Sequence, residues 1–277
     1  MDFKDDVNLD ASQVEDRGGG GGGGGGRFPG GMVVGGGGIV SLIALVLVFV
    51  LNNVGGGAEP AQQQPPANLA EECRTGKDAD QTEKCQVVGV VNSIQDYWKT
   101  ELAEYRAAKT VLYSGGVRTA CGAADSSVGP FYCPGDQRVY LDLTFFDDLK
   151  SRFGAKGGPF AQAYVIAHEY GHHVQNLLGA LESGSSVAVE LQADCYSGAW
   201  AKNAYEGGFY AKEFTTTDIA EALDAAAAVG DDRIQQRSGG RVDPESFTHG
   251  SSKQRMAAFQ LGYDTGDPAR CEGAELR

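Results

Sequence analysis

The chain has 277 residues, 37 acidic and 23 basic side chains, a formal net charge of −14 and only four histidines. Phosphate binding needs a basic face, and no cluster of Lys and Arg is present, so nucleic acid is excluded as a partner and the acidity speaks to solubility. The first 70 or so residues look unsuited to any core, which leaves about 200 for one globular unit.

Residues 1–31 are polar and then nearly pure glycine, unbroken from Gly18 to Gly26, and are expected to form a flexible cytoplasmic N-terminus. Residues 32–51 are uncharged and apolar, long enough to span a bilayer as a single transmembrane helix or signal anchor. Arg17 and Arg27 precede this stretch, and neither Lys nor Arg occurs in residues 52–71. The positive-inside bias therefore places the N-terminus in the cytoplasm and the rest of the chain outside a cell membrane crossed once. A cleaved signal peptide is the alternative, with Gly56-Gly57-Ala58 as a small-residue cleavage site. Residues 52–70, with Gly, Gln and Pro65-Pro66, read as a linker to a globular domain over 71–277.

All six cysteines follow the apolar stretch, and an even number on the exported side suggests disulfides. The equal spacing of two pairs favours Cys73–Cys85 and Cys121–Cys133 as local staples, leaving Cys195–Cys271. No CxxC occurs, which argues against a cysteine zinc site.

Residues 88–108 carry apolar side chains at helical intervals (Val91, Ile94, Trp98, Leu102, Tyr105) and read as an amphipathic helix. Residues 110–113 and 138–143 are strand-like, the second alternating with a period of two, and 139–143 reads equally as an edge strand along which an extended peptide can pair or as an ordinary core strand. A short helix over 145–153 ends at Gly157-Gly158-Pro159. A long helix over 160–178 follows, opened by Pro159 and closed by Gly179.

That helix contains His168-Glu169-Tyr170-Gly171-His172, an HExxH motif. A helix advances about 100° per residue, so His168 and His172 lie one above the other and can clamp one metal ion. Glu169 sits beside the clamp, where a carboxylate can take a proton from a zinc-activated water. A catalytic zinc takes three protein ligands and keeps one open position, and Glu190, 18 residues after His172, is the candidate for the third. Ser185 or Ser186 can cap a returning helix over 187–205 that carries Glu190 back to the histidines, whereas one continuous helix would leave it roughly 27 Å away. Asp194, one turn on, is placed to accept the far N–H of a ligating histidine. His173 lies off the metal face and reads as a packing residue.

Residues 216–229 are alanine-rich and helical. After a polar loop, residues 247–262 open a final helix containing His249 and Arg255, either of which can stabilise an oxyanion. A helix cap for His249 and a carboxylate partner for Arg255 are the competing roles.

Four blocks in order, HEYGHH, ELQADC, CGAADSSVGPFYCPGDQRVYLDL and FTHGSSKQR, together resemble the bacterial neutral zinc metallopeptidase family, over roughly residues 70–275. The E-x-x-A-D arrangement is also similar to that of membrane-associated gluzincin endopeptidases. The resemblance implies an α+β, zincin-like fold, mainly helical with a small sheet, and here preceded by the single transmembrane helix. It further implies His168, His172 and Glu190 as ligands to Zn2+, Glu169 as general base, and a peptide or protein substrate. The alternative is an inactive extracytoplasmic zinc scaffold that binds peptides without cleaving them. Hydrolysis of a non-peptide amide or ester shares the same metal chemistry.

Overall fold

Strand and helix signals alternate along residues 109–177, and the chain folds them into a small sheet laid against buried helices. The computed structural model describes residues 1–19, 68–181 and 184–272. Its elements run β1 (Val14–Gly19), α1 (Leu69–Glu72), α2 (Gly76–Ala79), α3 (Glu83–Glu101), β2 (Lys109–Ser114), β3 (Gly116–Thr119), β4 (Gly122–Asp125), β5 (Phe131–Cys133) and β6 (Arg138–Asp142). The helices α4 (Phe145–Ser151), α5 (Pro159–Leu177), α6 (Ser186–Asn203), α7 (Thr216–Ala228), α8 (Asp231–Gly239) and α9 (Ser252–Thr265) follow. The fold is α+β, mainly helical with a small sheet, as expected. Among the described residues no helix is long and apolar enough to cross a membrane. The stretch at 32–51 and the linker as far as residue 67 lie outside the described residues.

The main sheet has the order β1-β2-β6-β5, with β1, β2 and β6 parallel and β5 antiparallel to β6; β3 and β4 form a separate pair. Of the two readings of 139–143, the structure has the core strand rather than the edge. Tyr140 pairs with Val111 on one side and with Phe131 on the other, so its backbone groups are already taken. The open edge on that side of the sheet belongs to β5, a strand of three residues between Pro130 and a turn, too short to register as alternation.

Residues 1–19 overturn the expectation of a flexible start. Phe3 is 2% exposed and Val14 6%, and β1 pairs in register with β2, Val14 opposite Thr110 and Asp16 opposite Leu112. Two polar side chains buried on α3 receive the segment: Asn92 bonds both the N–H and the carbonyl of Asp10, and Gln95 bonds Gln13 at 2.6 Å. Lys84 pairs with Asp16 at 2.7 Å, and Phe3 packs on Tyr210 with ring centroids 4.8 Å apart. Held by backbone pairing and widely spaced anchors, the segment needs no apolar period of its own, which is why composition hides it.

The long helices start where their caps place them. Thr82 accepts from the Cys85 N–H, so α3 opens five residues before the expected 88 and ends at Leu102, which is extended. Ser185 accepts from the Ala188 N–H and starts α6; Ser251 and Gln254 form a capping box for α9. Residues 247–250 are therefore outside the last helix, and 231–239, expected as loop, are the polar helix α8, of which only Asp231 and Ile234 are buried. Between α6 and α9 two glycines face each other's backbone. A Cβ at Gly198 would lie 2.0 Å from the Phe259 carbonyl oxygen, and one at Gly262 would lie 1.9 Å from that of Cys195. Only glycine permits that approach, which brings α9 against the helix bearing Glu190.

All three expected disulfides are present, Cys73–Cys85, Cys121–Cys133 and Cys195–Cys271. The first two close short loops beside α3 and β5; the third ties α6 to the end of the described chain.

Candidate metal centre

The centre lies between α5 and α6, two antiparallel helices that touch at Gly171, where a Cβ would sit 3.0 Å from the Ala193 Cα. Helical spacing stacks His168 and His172 on one face of α5, with ring centroids 4.8 Å apart and planes at 85°. Glu190 reaches them from α6. Its Oε2 is 3.2 Å from His168 Nε2 and its Oε1 3.5 Å from His172 Nε2. The three ligand atoms lie within 4.8 Å of one another and all three residues are buried.

What surrounds the rings fixes which nitrogen faces inward. His168 Nδ1 is 2.8 Å from Asp194 Oδ1, and His172 Nδ1 is 2.8 Å from Gln175 Oε1. Both partners are oxygen acceptors, so each Nδ1 carries a proton and Nε2 is the nitrogen that each ring turns toward Glu190. Gln175 is held in that orientation by donating to the Val189 carbonyl at 2.7 Å and to Gln192 at 2.9 Å. His168 Nε2, His172 Nε2 and Glu190 Oε2 are buried without a hydrogen-bond partner. Such orphaned groups cost about 1–3 kcal/mol each, and a divalent cation at their meeting point would satisfy all three.

Asp194 accepts more than one bond. Arg255 donates to it from Nε at 2.7 Å and from Nη2 at 2.9 Å, and the Tyr164 hydroxyl donates at 2.6 Å. Burial alone would raise the Asp194 carboxyl, but Arg255 and His168 hold it down at about 2. The same contacts act on His168. Burial disfavours its charge, yet Asp194 outweighs this and lifts it to about 9 in the absence of a cation. Burial likewise works against an ionised Glu190, and the two imidazoles keep its carboxyl well below the ordinary range. Glu169, fully buried, is pushed up by desolvation against the pull of His172 and His168, and neither of its oxygens has a hydrogen-bond partner.

Two expectations separate here. Arg255 is not free to meet an oxyanion: its donors go to Asp194, to the Val229 carbonyl and to the Tyr164 hydroxyl. It orients Asp194, and through Asp194 the His168 ring. His249 keeps a free nitrogen. Its Nδ1 meets Asp231 Oδ1 at 2.9 Å, while Nε2 is buried without a partner. Asp231 is pinned in turn by the backbone N–H groups of Thr248, His249 and Gly250. Burial opposes its charge, and His249 with those N–H groups lowers its pKa nonetheless. A Cβ at Gly250 would lie 3.2 Å from Val187 Cγ1 and 3.4 Å from Leu191 Cδ2, so this loop runs close to the turn of α6 that carries Glu190.

The family model described as "Putative neutral zinc metallopeptidase" matches residues 1–274. The chain belongs to that family. The match takes in residues 1–19, which the four sequence blocks leave out and which the fold makes part of the sheet. The chain is 51% identical over 216 residues to the uncharacterized protein Rv2575 of Mycobacterium tuberculosis (strain ATCC 25618 / H37Rv), covering 73% of this chain and 74% of that one. It is 48% identical over 200 residues to the uncharacterized protein YpfJ of Escherichia coli (strain K12), covering 66% and 68%. No solved structure gives a significant match. The family's metal is zinc, and the donor set fits it: two imidazole nitrogens and a carboxylate supply the three protein ligands of a catalytic zinc site.

Sequence reasoning overlooked Tyr164, Gln175 and Asp231. Tyr164 stands four residues before His168 and Gln175 three after His172, so the spacing that groups the ligands also places these two on the ligand face. Asp231 carries no such signal, because it reaches His249 across 18 residues of chain.

Proposed function

We propose that this protein is a zinc-dependent peptidase in which Glu169 is the general base and His249 the oxyanion donor. The observation that carries the reading is the convergence of unpaired buried atoms. His168 Nε2, His172 Nε2 and Glu190 Oε2 supply a ligand set, and both oxygens of the adjacent Glu169 are left without partners. Zinc, when bound there, supplies a Lewis acid that polarises a carbonyl and lowers the pKa of water. Glu169 takes the proton of the attacking water and returns it to the leaving amine. His249, its ring set by Asp231 at Nδ1, donates from Nε2 to the oxygen on which charge develops. The peptide lies extended along the open edge of β5, which packs against α5. Attachment to a membrane through residues 32–51 belongs to this reading as a tether. Peptides and proteins are the substrates.

Metal analysis of the full-length protein, with a peptide-library cleavage assay before and after chelation, tests the reading. About one zinc per chain, cleavage lost on chelation and restored by zinc are the expected results; zinc without cleavage would leave the non-catalytic scaffold. His249→Ala is expected to lower kcat by about 10²–10³-fold with zinc content unchanged, as measured by steady-state kinetics beside metal analysis.

A further inference from the structure

The face of α5 that carries Glu169 is also the one that meets β5. Glu169, His173 and Asn176 follow the i, i+4, i+7 spacing of one helix face, and the last two bond a single residue of β5, Tyr132. The Tyr132 hydroxyl meets His173 Nδ1 at 3.0 Å and Asn176 Nδ2 at 2.9 Å. Proton bookkeeping makes this chain directional. His173 Nε2 is 2.6 Å from the Arg106 carbonyl, which only accepts, so Nε2 carries the hydrogen and Nδ1 accepts from Tyr132; the Tyr132 oxygen then accepts from Asn176. Cys133, the next residue of β5, is tied down by its disulfide to Cys121. A three-residue strand is thereby fixed at its middle and at its C-terminal end, on the helix face that carries Glu169.

We infer that Tyr132, held by His173 and Asn176, is a positioning residue that sets the open edge of β5 against Glu169 and so makes the enzyme favour peptides long enough to pair along that edge. The inference rests on the peptidase reading, whose own test is whether the unaltered enzyme cleaves any peptide. Tyr132→Phe removes one oxygen and keeps the ring. It is expected to cut kcat/KM for a ten-residue peptide about tenfold more than for a three-residue peptide, mainly through KM, with zinc content unchanged. Asn176→Ala, which removes one bond from a half-buried position, is expected to show the same length dependence at about a third of that size. In a Glu169→Gln background, calorimetric binding of the ten-residue peptide reads the edge without hydrolysis, and Tyr132→Phe should weaken it by a similar factor. Equal losses on long and short peptides, or unchanged binding in that background, would overturn the inference while leaving the peptidase reading intact.

A different observation carries a second inference. Residues 1–19 are built into the fold that begins at residue 68: β1 lies in register on β2, and Asp10 and Gln13 are received by buried Asn92 and Gln95. Two segments in one sheet lie on one side of any membrane. Crossing twice between them would take about 40 apolar residues, at about 20 for each helical span, and the intervening chain offers one stretch, 32–51. We infer that residues 1–19 share a compartment with the disulfide-bonded domain, on the same side of any membrane. The test is labelling of full-length protein in intact and in permeabilised cells by a membrane-impermeant maleimide, with one cysteine introduced at exposed Ser12 or at exposed Lys253. The two positions are expected to label alike in both preparations. Labelling of one in intact cells and of the other only after permeabilisation would overturn the inference.

Discussion

Glu169→Gln is expected to keep about one zinc per chain and to lower kcat by roughly 10²–10⁴-fold, the range over which a positioned acid–base group contributes. The amide fills the space of the carboxylate, and the ligand atoms of His168, His172 and Glu190 are untouched, since none of them bonds to Glu169. Loss of turnover with metal retained therefore isolates the proton-transfer role. Metal content and steady-state kinetics on the same preparation decide it: unchanged turnover would remove Glu169 as the base, and loss of zinc would mean that the residue holds the site together instead.

Arg255→Met should produce the largest change in stability. Arg255 and Asp194 are both buried at about 1% exposure or less, and removing one partner of such a pair costs roughly 3–5 kcal/mol because the other charge is left uncompensated. Asp194 also sets the His168 ring, so zinc affinity should fall by roughly 10–100-fold, the usual effect of losing a partner that orients a ligand. Denaturant unfolding of the zinc-free protein and a competitive zinc titration separate the two effects. Adding Asp194→Asn to Arg255→Met should recover part of the stability and none of the affinity. Recovery of both would mean that the pair acts on the fold alone.

The ligand set was legible because its information is local. His168 and His172 are one helical turn apart, and a short loop returns Glu190 to their level, so spacing and topology suffice. The disulfides were legible for the same reason, through equal spacing and then remainder. What escaped was placed by tertiary contact. Residues 1–19 look like a polar tail because their anchors, Phe3 and Val14, are eleven positions apart and their remaining needs are met by backbone pairing. Alternation in 139–143 fits an edge strand and a core strand alike, and the open sheet edge belongs to Phe131–Cys133, which is too short to alternate. For Arg255 the sequence leaves both roles open, oxyanion donor and carboxylate partner, because Asp194 lies 61 residues earlier. Such a residue cannot be told from an oxyanion donor until the chain is folded.

That separation along the chain bears on when the enzyme becomes competent. The HExxH helix is complete by Leu177, but Asp231 and His249 come more than 50 residues later, Arg255 six after that, and Cys271, which ties α6, still later. During synthesis from the N-terminus, His172 emerges with Gln175 close behind it, but His168 emerges well before Asp194 and Arg255, which orient it. A nascent chain therefore carries the metal ligands before their alignment, which is complete only after the last helix has docked.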